Sequence, residues 1–238
     1  MESAVVCLPT YNERENIEEM LRALEPLGVR VLVIDDNSPD GTGELADRLA
    51  AELPFVSVLH RPKKDGLGPA YLAGFRRALA DGVRYVLEMD CDFSHDPADV
   101  PRLIDACVQG ADLALGSRYV PAGGTENWGF GRRFVSIGGS WYARVLLGVP
   151  IRDLTGGFKC YRRAVLERID LDAVHSKGYA FQIETTYRAL RAGFRVVEVP
   201  IRFSDRTAGQ SKMSRAIVLE AVARVPALRF AAMTRRIR

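Results

Sequence analysis

Residues 85–95 read Tyr-Val-Leu-Glu-Met-Asp-Cys-Asp-Phe-Ser-His: a short apolar run, Tyr85–Met89, that leads straight into two aspartates, Asp90 and Asp92. Runs of the same kind occur at Ala4–Leu8, Val29–Ile34, Phe55–Leu59 and Leu113–Leu115, each bounded by turn residues and separated by a helix-length segment. This alternation predicts βαβ units, hence an α/β fold with a mostly parallel sheet covered by helices on both faces. Helix starts are marked as well. Asn12 stands three residues before Glu15 in a capping-box arrangement, and Asp96-Pro97 places a cap ahead of a proline suited to a first turn. No internal repeat or low-complexity tract interrupts the pattern, so the chain reads as one continuous domain with a C-terminal extension.

In such sheets ligands bind beyond the carboxyl ends of the strands. Those ends carry Pro9-Thr10-Tyr11-Asn12-Glu13, Asp35-Asp36-Asn37-Ser38-Pro39-Asp40-Gly41-Thr42 and Asp90-Cys91-Asp92-Phe93-Ser94-His95. No G-x-G-x-x-G follows the first strand and no P-loop is present, which argues against an NAD enzyme and a P-loop nucleotidase. Carboxylates at consecutive strand ends suit ribose hydroxyls and a hard cation. Asp90 and Asp92, at i and i+2 on leaving a buried strand, project into one crevice, where they are candidates for Mg²⁺ or Mn²⁺ with a nucleotide diphosphate completing the shell. D-x-D by itself is common in turns. Its place at a βα junction, with Asp35-Asp36 at an earlier one, is what marks it as a site.

With 238 residues, 47% hydrophobic, and a mean hydropathy of -0.04, disorder is excluded and a substantial core is available. No stretch reaches the roughly 18 uninterrupted apolar residues of a bilayer-spanning helix. Met1–Asn12 lacks the basic and apolar regions of a signal peptide, so the expectation is a cytosolic protein. Cys7, Cys91, Cys107 and Cys160 form neither a close pair nor a zinc spacing and read as reduced small hydrophobes. The net charge of +3 conceals a polarity: residues 1–117 carry 11 Lys and Arg against 21 Asp and Glu, and residues 118–238 carry 22 against 9. An acidic half suits a metal or sugar hydroxyls, and a basic half rich in arginine suits phosphates. Nucleic acid is disfavoured, because the acidic half repels it and no reading motif is present.

Pro9-Thr10-Tyr11-Asn12-Glu13, Asp35-Asp36 with Ser38–Thr42, Gly66-Leu67-Gly68, Asp90-x-Asp92 and Gly116-Ser117-Arg118-Tyr119 resemble family-2 glycosyltransferases of the GT-A fold. The second half narrows this. Arg132-Arg133-Phe134-Val135-Ser136, Asp153–Phe158, Ser176–Tyr179, Phe181–Glu184, Val199-Pro200-Ile201-x-Phe203 and Asp205-Arg206-x-x-x-Gly209-x-Ser211-Lys212 look like dolichol-phosphate (polyprenol-phosphate) mannose synthases, a likeness running from about residue 4 to about 215. It implies a GT-A domain over residues 1–213, with a donor and metal half at 1–117 and an acceptor half at 118–213. A basic amphipathic segment follows at 214–238.

The resemblance also implies roles. Pro9, Tyr11 and Glu13, with Ile34 and Asp36, form the nucleotide pocket; Asp90 and Asp92 hold metal and ribose, and the backbone at Cys91 lines the site. Ser94 stands where the family usually has a metal-ligating glutamine and is too short to reach as far, which implies a bridging water or weaker metal binding. Arg118, Arg132, Arg206 and Lys212 match positions that contact the donor pyrophosphate and the acceptor phosphate. Arg132 is chosen over Arg133 because it precedes Ser136 by four residues, and Lys177 is a further donor-site candidate. The implied reaction is inverting transfer of mannose from GDP-mannose to a polyprenyl monophosphate. The alternatives are another nucleotide sugar, such as UDP-glucose, or a non-catalytic nucleotide-sugar-binding protein, against which the full set Asp90, Asp92, Arg118, Arg206 and Lys212 stands.

His60, His95 and His175 form no base-and-orienter set, and His95 reads as a cap or packing group. Residues 204–213 read either as a loop that closes over the phosphates or as a plain sheet-edge loop. A lipid acceptor requires a membrane, and the expected attachment is peripheral, on the cytoplasmic face. Residues 214–238 mix Ile217, Val218, Leu219, Val222, Val225, Leu228, Phe230 and Met233 with six arginines, which suits an anionic bilayer surface or an ordinary docking helix. Pro226 predicts an interruption of any helix there. Phe134–Leu147, with Trp141, Tyr142, Val145 and Leu146, is a second candidate, and a membrane-protein partner is a third.

Overall fold

The five apolar runs become five strands, and the sheet they build acquires further members from the second half of the chain. The structure, a computed structural model, describes residues 3–205 and 215–234. Strands β1 (Ala4–Thr10), β2 (Arg30–Asp35), β3 (Val56–His60), β4 (Tyr85–Glu88) and β5 (Leu113–Ser117) alternate with helices α1 (Ile17–Leu24), α2 (Thr42–Glu52), α3 (Leu67–Ala80) and α4 (Val100–Val108). Then come the two-residue β6 (Gly124–Thr125), α5 (Phe130–Leu147), β7 (Lys159–Arg162), α6 (Arg163–Arg168), α7 (Tyr179–Arg191), β8 (Val196–Pro200), the two-residue β9 (Arg202–Phe203) and α8 (Arg215–Met233).

Among the described residues the main sheet has seven strands in the order β3-β2-β1-β4-β7-β5-β8. Its pairings are parallel except at β7, which runs antiparallel to both neighbours. The chain winds outward from β1 to β3 and then returns to β4 on the other side of β1. The tips of β1 and β4 therefore flank the topological switch point, where such sheets open a crevice. One face of the sheet packs on α1, α2 and α4 through residues such as Leu21, Leu49 and Leu103. The other packs on α3, α6 and α7 through Tyr71, Phe75, Leu166 and Phe181.

Two local expectations change. The capping box at Asn12 does not form: Asn12 takes a left-handed conformation (φ 57), the amides of Asn16 and Ile17 both donate to the Glu13 carbonyl, and α1 starts at Ile17. A tertiary contact decides this, since the Asn12 amide that Glu15 would have to reach donates instead to Ser38 Oγ at 3.2 Å. Asp96 does cap as expected, with Oδ1 accepting the Ala98 amide at 2.9 Å. Pro226 does not interrupt α8. It removes the amide that would bond the Val222 carbonyl, and Tyr142 of α5 supplies a substitute donor, its hydroxyl reaching that carbonyl at 3.1 Å. Val225, Leu228 and Ala232 of α8 join Ala143 and Leu147 of α5 and Ile183 and Tyr187 of α7 in one cluster, so the C-terminal helix docks on the domain. All four cysteines are free and buried. Among the described residues no helix is long and apolar enough to cross a membrane.

The inserted strand carries a polar layer into the core. Lys159 and Glu88 face each other in the β4–β7 register and have no solvent exposure. Lys159 Nζ donates to Gln182 O (2.8 Å), Gln182 Oε1 (2.6 Å) and Thr185 Oγ1 (3.2 Å), and the Tyr161 hydroxyl donates to Glu88 Oε1 at 2.8 Å. Burial pushes the Glu88 carboxyl up and the Lys159 ammonium down to about 8, and each charge draws the other back toward ionisation. Removing one member leaves a buried charge without its counterpart. Lys159→Met should therefore lower the unfolding free energy by about 3–5 kcal/mol in urea titrations at neutral pH. Adding Glu88→Gln should recover most of that loss.

Candidate active site

The site is built from the carboxyl ends of β1, β2 and β4. Thr10 Oγ1 donates to Asp35 Oδ1 at 3.2 Å, and Ser38 donates to the same carboxylate through its amide (3.1 Å) and hydroxyl (2.6 Å). Asp35 thus ties two strand ends together. The neighbouring Asp36 is buried and held by Arg61 Nη1 at 2.5 Å. Burial raises its carboxyl above the usual range, against the pull of Arg61. Tyr11 is half-buried, with the Lys64 ammonium 3.9 Å from its ring centroid. Glu13 is buried and accepts from Asn16 Nδ2 at 2.9 Å. Pro9, Tyr11, Glu13 and Asp36 thus lie at the adjoining tips of β1 and β2. Ile34 is the exception: its side chain is fully buried beside Gly74 of α3.

At the tip of β4 the two aspartates differ. Asp92 is buried, and its Oδ1 accepts the Ser94 amide (3.1 Å) and hydroxyl (2.6 Å) across a turn in which Phe93 adopts φ 58. Ser94 therefore directs its hydroxyl proton at Asp92 and orients that carboxylate. Asp90 is half-buried; its amide donates to His95 Nδ1 at 3.2 Å and its Oδ1 accepts the Tyr71 hydroxyl at 3.4 Å. His95 stacks on Phe158 (4.9 Å between centroids) and meets Phe203 edge-on (5.2 Å). Burial pushes its imidazole down to about 4, with Asp92 pulling the other way. The Cys91 side chain is buried in the core that packs on α1, α2 and α4.

A divalent cation fits this donor set. The oxygens are hard carboxylate ligands, and among the described residues no group of three or more His, Cys, Asp or Glu gathers to form a protein cage. One or two carboxylates with substrate phosphates completing the shell is the usual arrangement for Mg²⁺.

Across β7 lies a second cluster, around Arg118. Arg118, 8% exposed, forks onto Asp153 through Nε (2.7 Å) and Nη2 (2.6 Å) and donates to Thr155 Oγ1 at 2.9 Å. The rings of Tyr119, Trp128 and Phe203 lie 5.1–5.5 Å from the guanidinium. Burial opposes its charge, and Asp153 more than offsets this, so its pKa rises. Arg118 thus shares its guanidinium with the buried carboxylate of Asp153. Glu198 of β8 fixes Asp153, accepting its amide at 3.0 Å and the Ser117 hydroxyl at 2.7 Å. Thr155 and Tyr119 then bond Ser140 (3.0 Å) and Ser136 (2.6 Å) of α5. Lys177 pairs with Asp65 at 2.7 Å on the surface, beside the start of α3. There Gly66 holds φ +105 and Gly68 packs so closely on the Ser176 carbonyl that no Cβ fits.

Arg206, Lys212 and the 206–213 part of the proposed closing loop lie outside the described residues, as does the side chain of Arg132; Arg133 is exposed on α5. The sequence reading missed Asp153, Glu198, Arg61 and Tyr71. No sequence signal marked Arg61: the β2–β3 register, which pairs Asp35 with His60, is what sets residue 61 beside residue 36. Glu198 had none either, being 80 residues from Arg118, whereas Asp153 opens the Asp153–Phe158 run that shares in the family resemblance.

The model of the family described as "Glycosyl transferase family 2" matches residues 5–170. The chain is 53% identical over 224 residues to "Polyprenol monophosphomannose synthase" of Mycolicibacterium smegmatis, covering 93% of this chain and 84% of that protein. It is 52% identical over 220 residues to "Undecaprenyl-phosphate mannosyltransferase" of Micrococcus luteus, covering 92% and 90%. Among solved structures, glucosyl-3-phosphoglycerate synthase from Mycobacterium tuberculosis, with Mn²⁺, UDP-glucose and phosphoglyceric acid, matches with a TM-score of 0.70 at 18% identity, covering 96% of this chain and 80% of that one. That likeness is one of fold.

The buried imidazole gives a pH test. Its folded pKa is depressed, so as pH falls from 6.5 toward about 4 the unfolded chain takes a proton that the folded chain does not, and stability is lost. Between pH 7 and pH 5 the wild type should lose about 2 kcal/mol more unfolding free energy than His95→Asn, read from urea titrations at both pH values.

Proposed function

The chain belongs to glycosyl transferase family 2, with the mostly parallel sheet of the GT-A fold, and from that premise we propose that it transfers mannose from GDP-mannose to a polyprenyl monophosphate with inversion, releasing GDP. The observation that carries this reading is the pair Asp90 and Asp92 at the switch point, one strand away from the Arg118 cluster, in a chain 52–53% identical to two enzymes named for mannosyl transfer to polyprenyl phosphates.

In this reading the nucleoside lies at the tips of β1 and β2, its base beside Tyr11 and its ribose toward Glu13 and Asp36. Asp90 and Asp92 would hold Mg²⁺ or Mn²⁺, which when bound withdraws charge from the diphosphate leaving group. The acceptor phosphate approaches from the α5 side, and its oxygen attacks the anomeric carbon in line as the bond to GDP breaks. Its second pKa lies near 6, so it is already largely a dianion at neutral pH and needs no protein base. His95 agrees with this, being buried in aromatic contacts with Nδ1 occupied by an amide. Arg118 offsets the Asp153 charge that would otherwise repel the incoming phosphate, and Arg132, Lys177, Arg206 and Lys212 are the proposed further phosphate contacts.

The acceptor is a lipid, and α5 offers a face for its membrane. Phe130, Phe134, Trp141 and Val145 are 89%, 74%, 64% and 60% exposed along one side of the helix, and residues 130–147 contain no acid but include Arg132, Arg133 and Arg144. We read this stripe as resting on an anionic bilayer at its cytoplasmic face, where each basic residue contributes on the order of 1 kcal/mol. The opposite side of the same helix supplies Ser136 and Ser140 to the site.

Incubation with Mn²⁺, polyprenyl phosphate and radiolabelled GDP-mannose should move label into the organic phase, whereas UDP-glucose should not. Asp92→Asn should reduce this by on the order of 10³-fold while melting like the wild type. Label from UDP-glucose instead would reassign the sugar, and retained nucleotide-sugar binding with no transfer from any donor would favour a binding protein. In sedimentation with phosphatidylglycerol vesicles, Phe134→Ser/Trp141→Ser should bind at least about tenfold more weakly than the wild type. Equal sedimentation would remove α5 as the membrane face.

A further inference from the structure

A carboxylate grips a cation well only when its own orientation is fixed from behind. Asp92 is fixed within its own turn by Ser94. Asp90 is gripped at two points by groups that belong to different parts of the fold. From α3, the hydroxyl of Tyr71 donates to Asp90 Oδ1 at 3.4 Å. From the far end of the aspartate loop, His95 Nδ1 accepts the Asp90 amide at 3.2 Å. An amide can only donate, so the imidazole proton resides on Nε2, and His95 is locked in that role by Phe158 and Phe203.

Tyr71 is fully buried, its ring stacked between Phe75 (6.0 Å) and Phe181 (5.9 Å, interplanar angle 7°). In that aromatic stack a phenylalanine would pack as well, and a buried hydroxyl carries a desolvation cost. The contact to Asp90 is at the long end of hydrogen-bond range, which suits a role in aiming the carboxylate more than one in stability.

We propose that Tyr71 and His95 are positioning residues for cation binding, one holding the carboxylate of Asp90 and the other its backbone, so that the tip of β4 presents a preset ligand to the cation and the diphosphate. The inference rests on the reading of Asp90 and Asp92 as cation ligands and extends it to two residues that act through Asp90.

The test is Mn²⁺ binding by the full chain in the presence of GDP, followed by the electron paramagnetic resonance signal of free Mn²⁺. Tyr71→Phe keeps the aromatic stack and should melt like the wild type, yet raise the Mn²⁺ dissociation constant about tenfold or more. In an Asp90→Asn background the same substitution should add nothing, because its target is gone. His95→Asn, whose Oδ1 takes the place of Nδ1, should stay closer to the wild type than His95→Phe; this pair decides the matter if Tyr71→Phe does not fold. A Tyr71→Phe dissociation constant within twofold of the wild type, or equal affinities for the two His95 variants, would overturn the inference alone. Absence of Mn²⁺ uptake by the wild type would overturn the cation reading beneath it.

Discussion

Lys159 carries a charge with no access to water, on the strand that separates the tip bearing Asp90 from the tip bearing Arg118. A buried ammonium persists only with hydrogen bonds for its protons and a counter-charge nearby. Gln182 and Thr185 of α7 supply the first, and Glu88 of β4 the second. Meeting this one requirement fixes β7 against β4 in register and α7 over both. The two halves of the site are thereby set at a constant spacing, one strand apart, although they come from segments of opposite net charge.

The same logic of balanced charges continues outward from β7. Arg118 and Asp153 neutralise each other beyond the end of β5, and Glu198 in turn holds the Asp153 backbone. At the tips of β1 and β2 Arg61 answers Asp36, and two carboxylates, Asp90 and Asp92, stand together at the tip of β4. A cation is the natural complement there, while a lone phosphate is not. The proposed chemistry thus has a built-in asymmetry: the carboxylate tip receives the cation that accompanies the diphosphate, and the arginine cluster shields the route of the acceptor phosphate.

Helix α5 joins this site to its surroundings. Ser136 and Ser140 bond the cluster around Arg118, while Phe130, Phe134 and Trp141 face outward. Docking by α8 steadies the helix: Tyr142 bonds the carbonyl that Pro226 leaves open, and Val225, Leu228 and Ala232 pack against its end. A lipid whose phosphate must enter the site and whose tail must stay in a bilayer is well served by one helix with both kinds of face.

The α/β class, the five strands of the first half and the crevice residues at their tips were legible in the sequence, because strand hydrophobicity and the carboxylates that follow it are local patterns. So were the cap at Asp96 and the buried cysteines without disulfides. The antiparallel insertion of β7, the commitment of Arg118 to Asp153, the assignment of Ile34 to the core and the turn of Ser94 toward Asp92 were not. Each depends on which distant group arrives beside a residue, and pairings across 35 residues or more, such as Arg118 with Asp153 or Glu88 with Lys159, leave no periodic trace in one chain. The same holds for Pro226: its missing amide is written in the sequence, but the hydroxyl that compensates comes from Tyr142, 84 residues earlier. Sequence alone determined which groups were available and roughly at which strand ends. Tertiary structure decided which of them remain available to a ligand, because burial compels every charged group to find a partner first.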